Sequence, residues 1–270
     1  MNHTLKHTLL TTLALAGATV TQAQILTDHF SYSNGDITSV SGGNWVAYSA
    51  GTTKLNVTDG AAIINQGDTA SNKEDVSTAI GATFSTTGNT KAYVGFDATW
   101  TALPTNLNGS YFAVFSTSTS SSTFFGRIGA DREGAADGKF RISVANANWS
   151  QANTVEFGQD LSLNTTYHVV VAYDLVSKQT TLWVDPTSSG STSVTATDTV
   201  GTQADLTAFS LRQGVSSTTG APGVIAIDNL AIGTDFNSVS AVPEPSAYAA
   251  LFAGGLATFA LLRRRTESAR

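Results

Sequence analysis

The sequence predicts an all-β chain whose strands close into a two-sheet antiparallel sandwich. Three observations predict it. Roughly ten short runs rich in β-branched and aromatic residues recur between Ile25 and Val239. Turn-forming residues separate them, and no part of this body sustains a helical period.

The runs can be taken in order. Residues 55–57 and 61–64 flank Asp59-Gly60, a dipeptide that favours a tight hairpin turn. In 91–100, Ala92, Val94, Phe96, Ala98 and Trp100 alternate with polar residues, the period of a half-buried strand. Further strands are expected at 111–116, 124–129 and 140–145. The Ser-Thr run 116–123 reads as a loop tip, because strands resume on both sides of it. Residues 167–174 and 180–185 are apolar and β-branched, and 175–179 between them suit a hairpin. Runs at 206–213 and 223–232 close the series. No fixed repeat appears, so one domain over 24–240 is expected.

Bulk composition excludes several functions. Charged residues are 13% of the 270, about half the ordinary share. The net charge is −6, and Lys6, Arg263, Arg264, Arg265 and Arg270 lie in the end segments, so the body is more acidic still. An acidic body without a basic stripe argues against nucleic acid as a partner. The absence of cysteine excludes disulfides, thiol catalysis and thiolate-bound metal.

Both ends carry targeting patterns. Residues 1–23 hold a weakly basic start (His3, Lys6, His7), an apolar stretch and Thr21-Gln22-Ala23, the layout of a cleavable signal peptide. Residues 241–270 hold Val242-Pro243-Glu244-Pro245-Ser246, an uncharged run over 247–262, and Arg263-Arg264-Arg265. As a transmembrane helix that run covers about 24 Å, short against a hydrocarbon core of ~30 Å. Its arginines would stay cytoplasmic and leave the body outside.

In motif, span and basic cluster this tail resembles the PEP-CTERM sorting signal of Gram-negative and related bacteria. The resemblance implies an exosortase as processing partner, cleavage near Pro243-Glu244-Pro245, and a host that makes exopolysaccharide. The body has its own resemblance. Asp28-His29-Phe30-Ser31-Tyr32 with Gly42-Gly43-Asn44-Trp45, then 167–173 with 181–186, then 227–234, are similar to laminin-G-like, concanavalin-type jelly rolls. That group implies a jelly-roll sandwich and includes lectins, glycosidases and adhesive modules.

Catalysis finds little support. Laminarinase-like enzymes of this fold carry E-x-D-x-x-E on one strand, and the body's glutamates, Glu74, Glu133 and Glu156, form no such pattern. Its histidines, His29 and His168, come without a nucleophile elbow, and His168 reads as a partly exposed strand residue. No catalytic residue is therefore assigned. Asp131, Glu133 and Asp137 crowd a Gly-rich loop and offer calcium-type oxygen ligands. Arg132 in their midst and the missing EF-hand spacing favour a solvated hairpin tip, so no cofactor is expected apart from this calcium alternative. Asp228-Asn229 reads as a turn in preference to a calcium site.

A sugar ligand would need exposed aromatics with amides beside them. Trp149, with Asn146 and Asn148 in the polar run 146–153, is the best candidate, with packing over a sheet edge as its alternative role; Trp100 is in phase with an apolar face and belongs to the core. The reading is a noncatalytic, exported binding or structural module with polysaccharide as its candidate partner. The alternatives are a glycoside hydrolase or lyase with an unrecognised carboxylate pair, and an adhesion protein without a small ligand.

Overall fold

The computed structural model describes residues 24–66, 72–104, 110–150, 152–213 and 221–240. The expected signal peptide, Val242 to Ser246, the apolar run and Arg263 to Arg265 lie outside these residues. Among the described residues no helix is long and apolar enough to cross a membrane.

The strands are β1 Gln24–Asp28, β2 Gly35–Asp36, β3 Trp45–Ser49, β4 Asn56–Thr58, β5 Ala61–Gln66, β6 Asp75–Phe84, β7 Lys91–Ala102 and β8 Ser110–Ser116. They continue with β9 Phe124–Asp131, β10 Arg141–Ala145, β11 Val155–Glu156, β12 Thr166–Asp174, β13 Gln179–Val184, β14 Val194–Thr195, β15 Leu206–Leu211 and β16 Gly223–Gly233. Two single-turn helices, α1 Ile37–Val40 and α2 Asn237–Ser240, complete the described elements. One sheet has nine strands in the order β14-β13-β12-β7-β16-β5-β4-β2, with β1 also on β16. The other has seven, β11-β10-β9-β8-β15-β6-β3. The ladders between these strands are antiparallel.

Alternation along each strand makes the core. Ala92, Val94, Phe96, Ala98 and Trp100 of β7 point inward together, as their period predicts. Trp100 meets Phe112 of the opposite sheet at 5.7 Å and Phe140 at 4.7 Å between ring centroids. Truncating such a buried aromatic typically costs about 3–5 kcal/mol. The predicted turns form. Asp59 and Gly60 both have positive φ (50° and 81°), as a type I′ turn requires. The β12–β13 hairpin closes with Lys178 at φ 59° and with the Asp174 carboxylate accepting from the Val176 and Ser177 amides.

Six strands go beyond the sequence expectation: β1, β2, β3, β6, β11 and β14. The most consequential is β6, which fills the seven-stranded sheet between β15 and β3. Its Ser, Thr, Ala and Gly content masks the alternation of Val76 and Ile80 toward the core.

Candidate ligand-binding face

The outer face of the seven-stranded sheet gathers the side chains best suited to bind something. In β9, Phe125, Ile128 and Ala130 enter the core, which turns Arg127 and Gly129 outward. On β8, Phe112, Ala113 and Phe115 face inward across a bulge and leave Tyr111 outward. Leu211 is the last core residue of β15, and Arg212 follows it, its amide donating to the Phe112 carbonyl at 2.7 Å. Because β8 lies between β9 and β15, Arg127 and Arg212 flank Tyr111 from the two neighbouring strands. Each guanidinium carbon stands 4.5 Å from the Tyr111 ring centroid.

Phe124 and Tyr48 extend the cluster. Phe124 stands 6.2 Å from Tyr111 and 5.8 Å from Tyr48, centroid to centroid. Tyr48 is on β3 and Phe124 on β9, four steps apart in the sheet. On a flat sheet four steps span about 19 Å, more than two ring side chains bridge. This face is therefore concave. Burial, with the Asp75 charge adding to it, holds the Tyr48 hydroxyl well above the ordinary tyrosine range.

Trp149 joins the same face from the loop after β10. Its ring lies over Gly129, where an added Cβ would come within 2.1 Å of it, and 5.9 Å from Tyr111. The ring is half-buried, and its indole nitrogen is buried without a hydrogen-bond partner. Asp198 positions this loop: its carboxylate accepts from the amides of Asn146, Ala147 and Asn148 at 2.5, 2.9 and 2.9 Å.

The two amide candidates separate. Asn148 is exposed beside Trp149. Asn146 is 1% exposed and serves the interior, which removes it from any ligand surface. Its Oδ1 accepts from the Thr180 amide at 2.7 Å, and its Nδ2 donates to the Asp198 and Ala196 carbonyls. Sequence reasoning missed Tyr48, Tyr111, Phe124, Arg127 and Arg212. The available signal was an arginine in each of two apolar strand segments.

The proposed calcium ligands do not gather, and among the described residues no three His, Asp or Glu side chains are placed to hold a metal. Asp131 ends β9 at 2% exposure, accepting from the Glu133 amide at 3.0 Å and the Ser143 hydroxyl at 2.9 Å. Asp137 is exposed in the second tight turn of the loop. Burial, then the Glu156 charge, pushes the Asp131 carboxyl up to about 7. Burial likewise raises Glu156, although Arg141 holds it at 3.3 Å.

The outer face of the nine-stranded sheet is different. There His168 lies 2.7 Å from Asp97 and 3.2 Å from the Val239 carbonyl. Asn229 sits at φ 51° in a β16 bulge, donates to Asp97 at 2.9 Å and contacts His29 at 2.8 Å. Burial opposes the Asp97 charge, but bonds from His168 and Asn229 hold its carboxyl below the usual range. Phe236 and Val239 pack here on Val170, Ala172, Trp183 and Ala231. The histidine therefore braces residues 236–240, and Asn229 sits in a bulge inside β16, not in the turn expected of it, because the strand runs on through it.

No family model matches the chain, and no curated protein matches it. Among solved structures, the alginate lyase Aly36B is similar over 78% of this chain and 96% of its own, at 13% identity and a TM-score of 0.50. A carbohydrate-binding module, CBM2, of the Lactobacillus casei BL23 phage J-1 evolved Dit aligns over 79% of this chain and 97% of its own, at 13% identity and a TM-score of 0.43. A sialidase aligns at 17% identity and a TM-score of 0.42, and this chain spans 19% of its length. At 13% identity the likeness to the lyase shows the β-sandwich fold alone.

Proposed function

We propose that this chain is an exported, noncatalytic surface module that binds glycan on the concave face of its seven-stranded sheet. The observation that carries the reading is the partly exposed aromatic group Tyr48, Phe124 and Trp149, drawn together around the buried Tyr111 on one curved face. Pyranose rings present apolar C–H faces that stack on such side chains, with arginines and an exposed amide beside them for the hydroxyls. The alginate lyase neighbour is compatible with this reading.

A catalytic reading would rest on Asp131 and Glu156, the carboxyls with raised proton affinity at one end of this face. Asp131 is 2% exposed and both its oxygens already accept hydrogen bonds, so it is poorly placed to reach a substrate. The noncatalytic reading is the better supported.

Export and sorting belong to the same proposal. The tail resembles a PEP-CTERM signal, so an exosortase would process it and the mature product would lack Arg263-Arg264-Arg265. Intact-mass measurement on native surface material checks this; arginines still present would overturn it. Binding is checked by affinity electrophoresis in gels containing neutral or acidic polysaccharides. Trp149→Ala is expected to weaken retardation about five- to thirtyfold, since stacking of the sugar ring and its desolvation contribute roughly 1–2 kcal/mol. Unchanged migration of wild type in every gel would remove the glycan-binding reading.

A further inference from the structure

We propose that the ligand of the concave face is an acidic polysaccharide, whose oxyanions seat on Arg127 and Arg212 while its rings lie against Trp149 and Phe124. The proposal rests on the glycan-binding reading above and narrows it.

Arg127 carries the argument. It is half-buried in mid-strand, and its Nε is buried without a hydrogen-bond partner. Among the described residues it makes no ion pair, whereas Lys54, Lys91 and Arg141 each pair with a carboxylate. Partly burying a cation without a partner is costly, and this chain has acidic residues to spare: its net charge is −6. The carboxylate that acts on Arg127, Asp198, is already occupied by three main-chain amides.

A second cation makes the arrangement costlier still. Arg212 contacts the same Tyr111 ring at the same 4.5 Å, so two guanidiniums crowd one aromatic side chain. Burial first, and the Arg212 charge after it, lower the proton affinity of Arg127. Cation–π attraction to Tyr111 offsets part of that cost and fixes the planes of the guanidiniums. A neutral sugar's hydroxyls can accept from these arginines but leave their paired positive charge uncompensated. An oxyanion would relieve the repulsion and match the planar donor fork of arginine at two points. Carboxylate and sulfate share this chemistry.

The test uses the full chain and three polymers, each with its uncharged counterpart. Alginate and polygalacturonate are set beside their carboxyl-reduced forms, and dextran sulfate beside dextran. At least one charged polymer is expected to bind about tenfold or more tighter than its neutral counterpart, the effect of one charge-assisted contact of roughly 1.5–3 kcal/mol. Which polymer responds tells carboxylate from sulfate. That binding should weaken on raising NaCl from about 50 to 500 mM and fall about tenfold in Arg127→Gln, with Arg127→Lys between. Should Arg127→Gln fail to fold, the polymer pairs and the salt series in wild type decide alone. Equal binding of charged and neutral polymers would overturn the acidic-ligand inference and leave glycan binding standing. Binding to none of the six would overturn both.

Discussion

At the scale of single residues, Asp131 has its protonation set by its surroundings. Its carboxyl is buried beside Glu156 and is pushed up to about 7, against about 3.9 for an unfolded aspartate. Between those two values the folded chain keeps a proton that the unfolded chain has lost. Raising the pH through this window therefore costs stability; below it both states are protonated, and above it both are ionised. Asp131→Asn cannot ionise and keeps an oxygen for the Glu133 amide and an NH2 for the Ser143 hydroxyl. Its melting temperature should fall less than that of wild type between about pH 4.5 and pH 7.5. Parallel pH profiles for the two proteins would show that the carboxyl is not buried in this way. Asp198 gives a second prediction at this scale. Asp198→Ala strands three main-chain donors and should cost about 2 kcal/mol or more in urea unfolding. It should also dim the contact of Trp149 with Tyr111, read as a change in tryptophan fluorescence. Trp149 was legible in the sequence as an aromatic in a polar loop. Arg127 and Arg212 were not, because their meaning depends on β9 and β15 both flanking β8, a pairing of segments more than eighty residues apart. Asn146 misled for the converse reason. A polar side chain in a polar run looks exposed until its partners, Thr180, Ala196 and Asp198, are brought in from distant strands.

At the scale of elements, β16 organises the nine-stranded sheet. Its first half pairs with β5 and its second with β1, while β7 runs along its other edge. The bulge at Asp228-Asn229 marks the changeover; the sequence there signalled a turn, whereas the strand runs through it. Strands with strong alternation, such as β7 and β12, were legible for the physical reason that one face of each is core. Strands such as β6 and β14 were not, because small hydroxyl residues satisfy a sheet without announcing a face. The segment after β16 supplies the element-scale prediction. Phe236 meets Trp183 edge to face at 5.3 Å between centroids, and the Val239 carbonyl sits on Gly95. An alanine Cβ at position 95 would fall 2.1 Å from that oxygen, so backbone must move. Gly95→Ala is expected to lift 236–240 and speed proteolytic cleavage there, with the core strands still protected in hydrogen exchange. Cleavage at the wild-type rate would mean that the segment is not held by this contact.

At the scale of the whole molecule, the two ends of the described body meet. β1 pairs with the end of β16, and the Gln24 side chain donates to the Ser238 carbonyl at 3.2 Å. Both ends therefore lie with the nine-stranded sheet, and α2 packs on its outer face. The arginine and aromatic face belongs to the other sheet and points the opposite way. With sheets about 10 Å apart, the full thickness of the sandwich separates that face from the point where the chain continues beyond Ser240. This layout bears directly on the proposed sorting tail. A body tethered through residues after 240 would turn its nine-stranded sheet toward the membrane and present the concave face outward. Tethering and ligand binding should then be independent. The unprocessed chain reconstituted in lipid vesicles is expected to bind a soluble polysaccharide ligand within about twofold of the same chain after protease release near 241, as rigid-body reasoning from a fixed interface implies. A large gain in binding on release would place the binding face against the bilayer, and would mean that ligand and membrane compete for one side of the molecule.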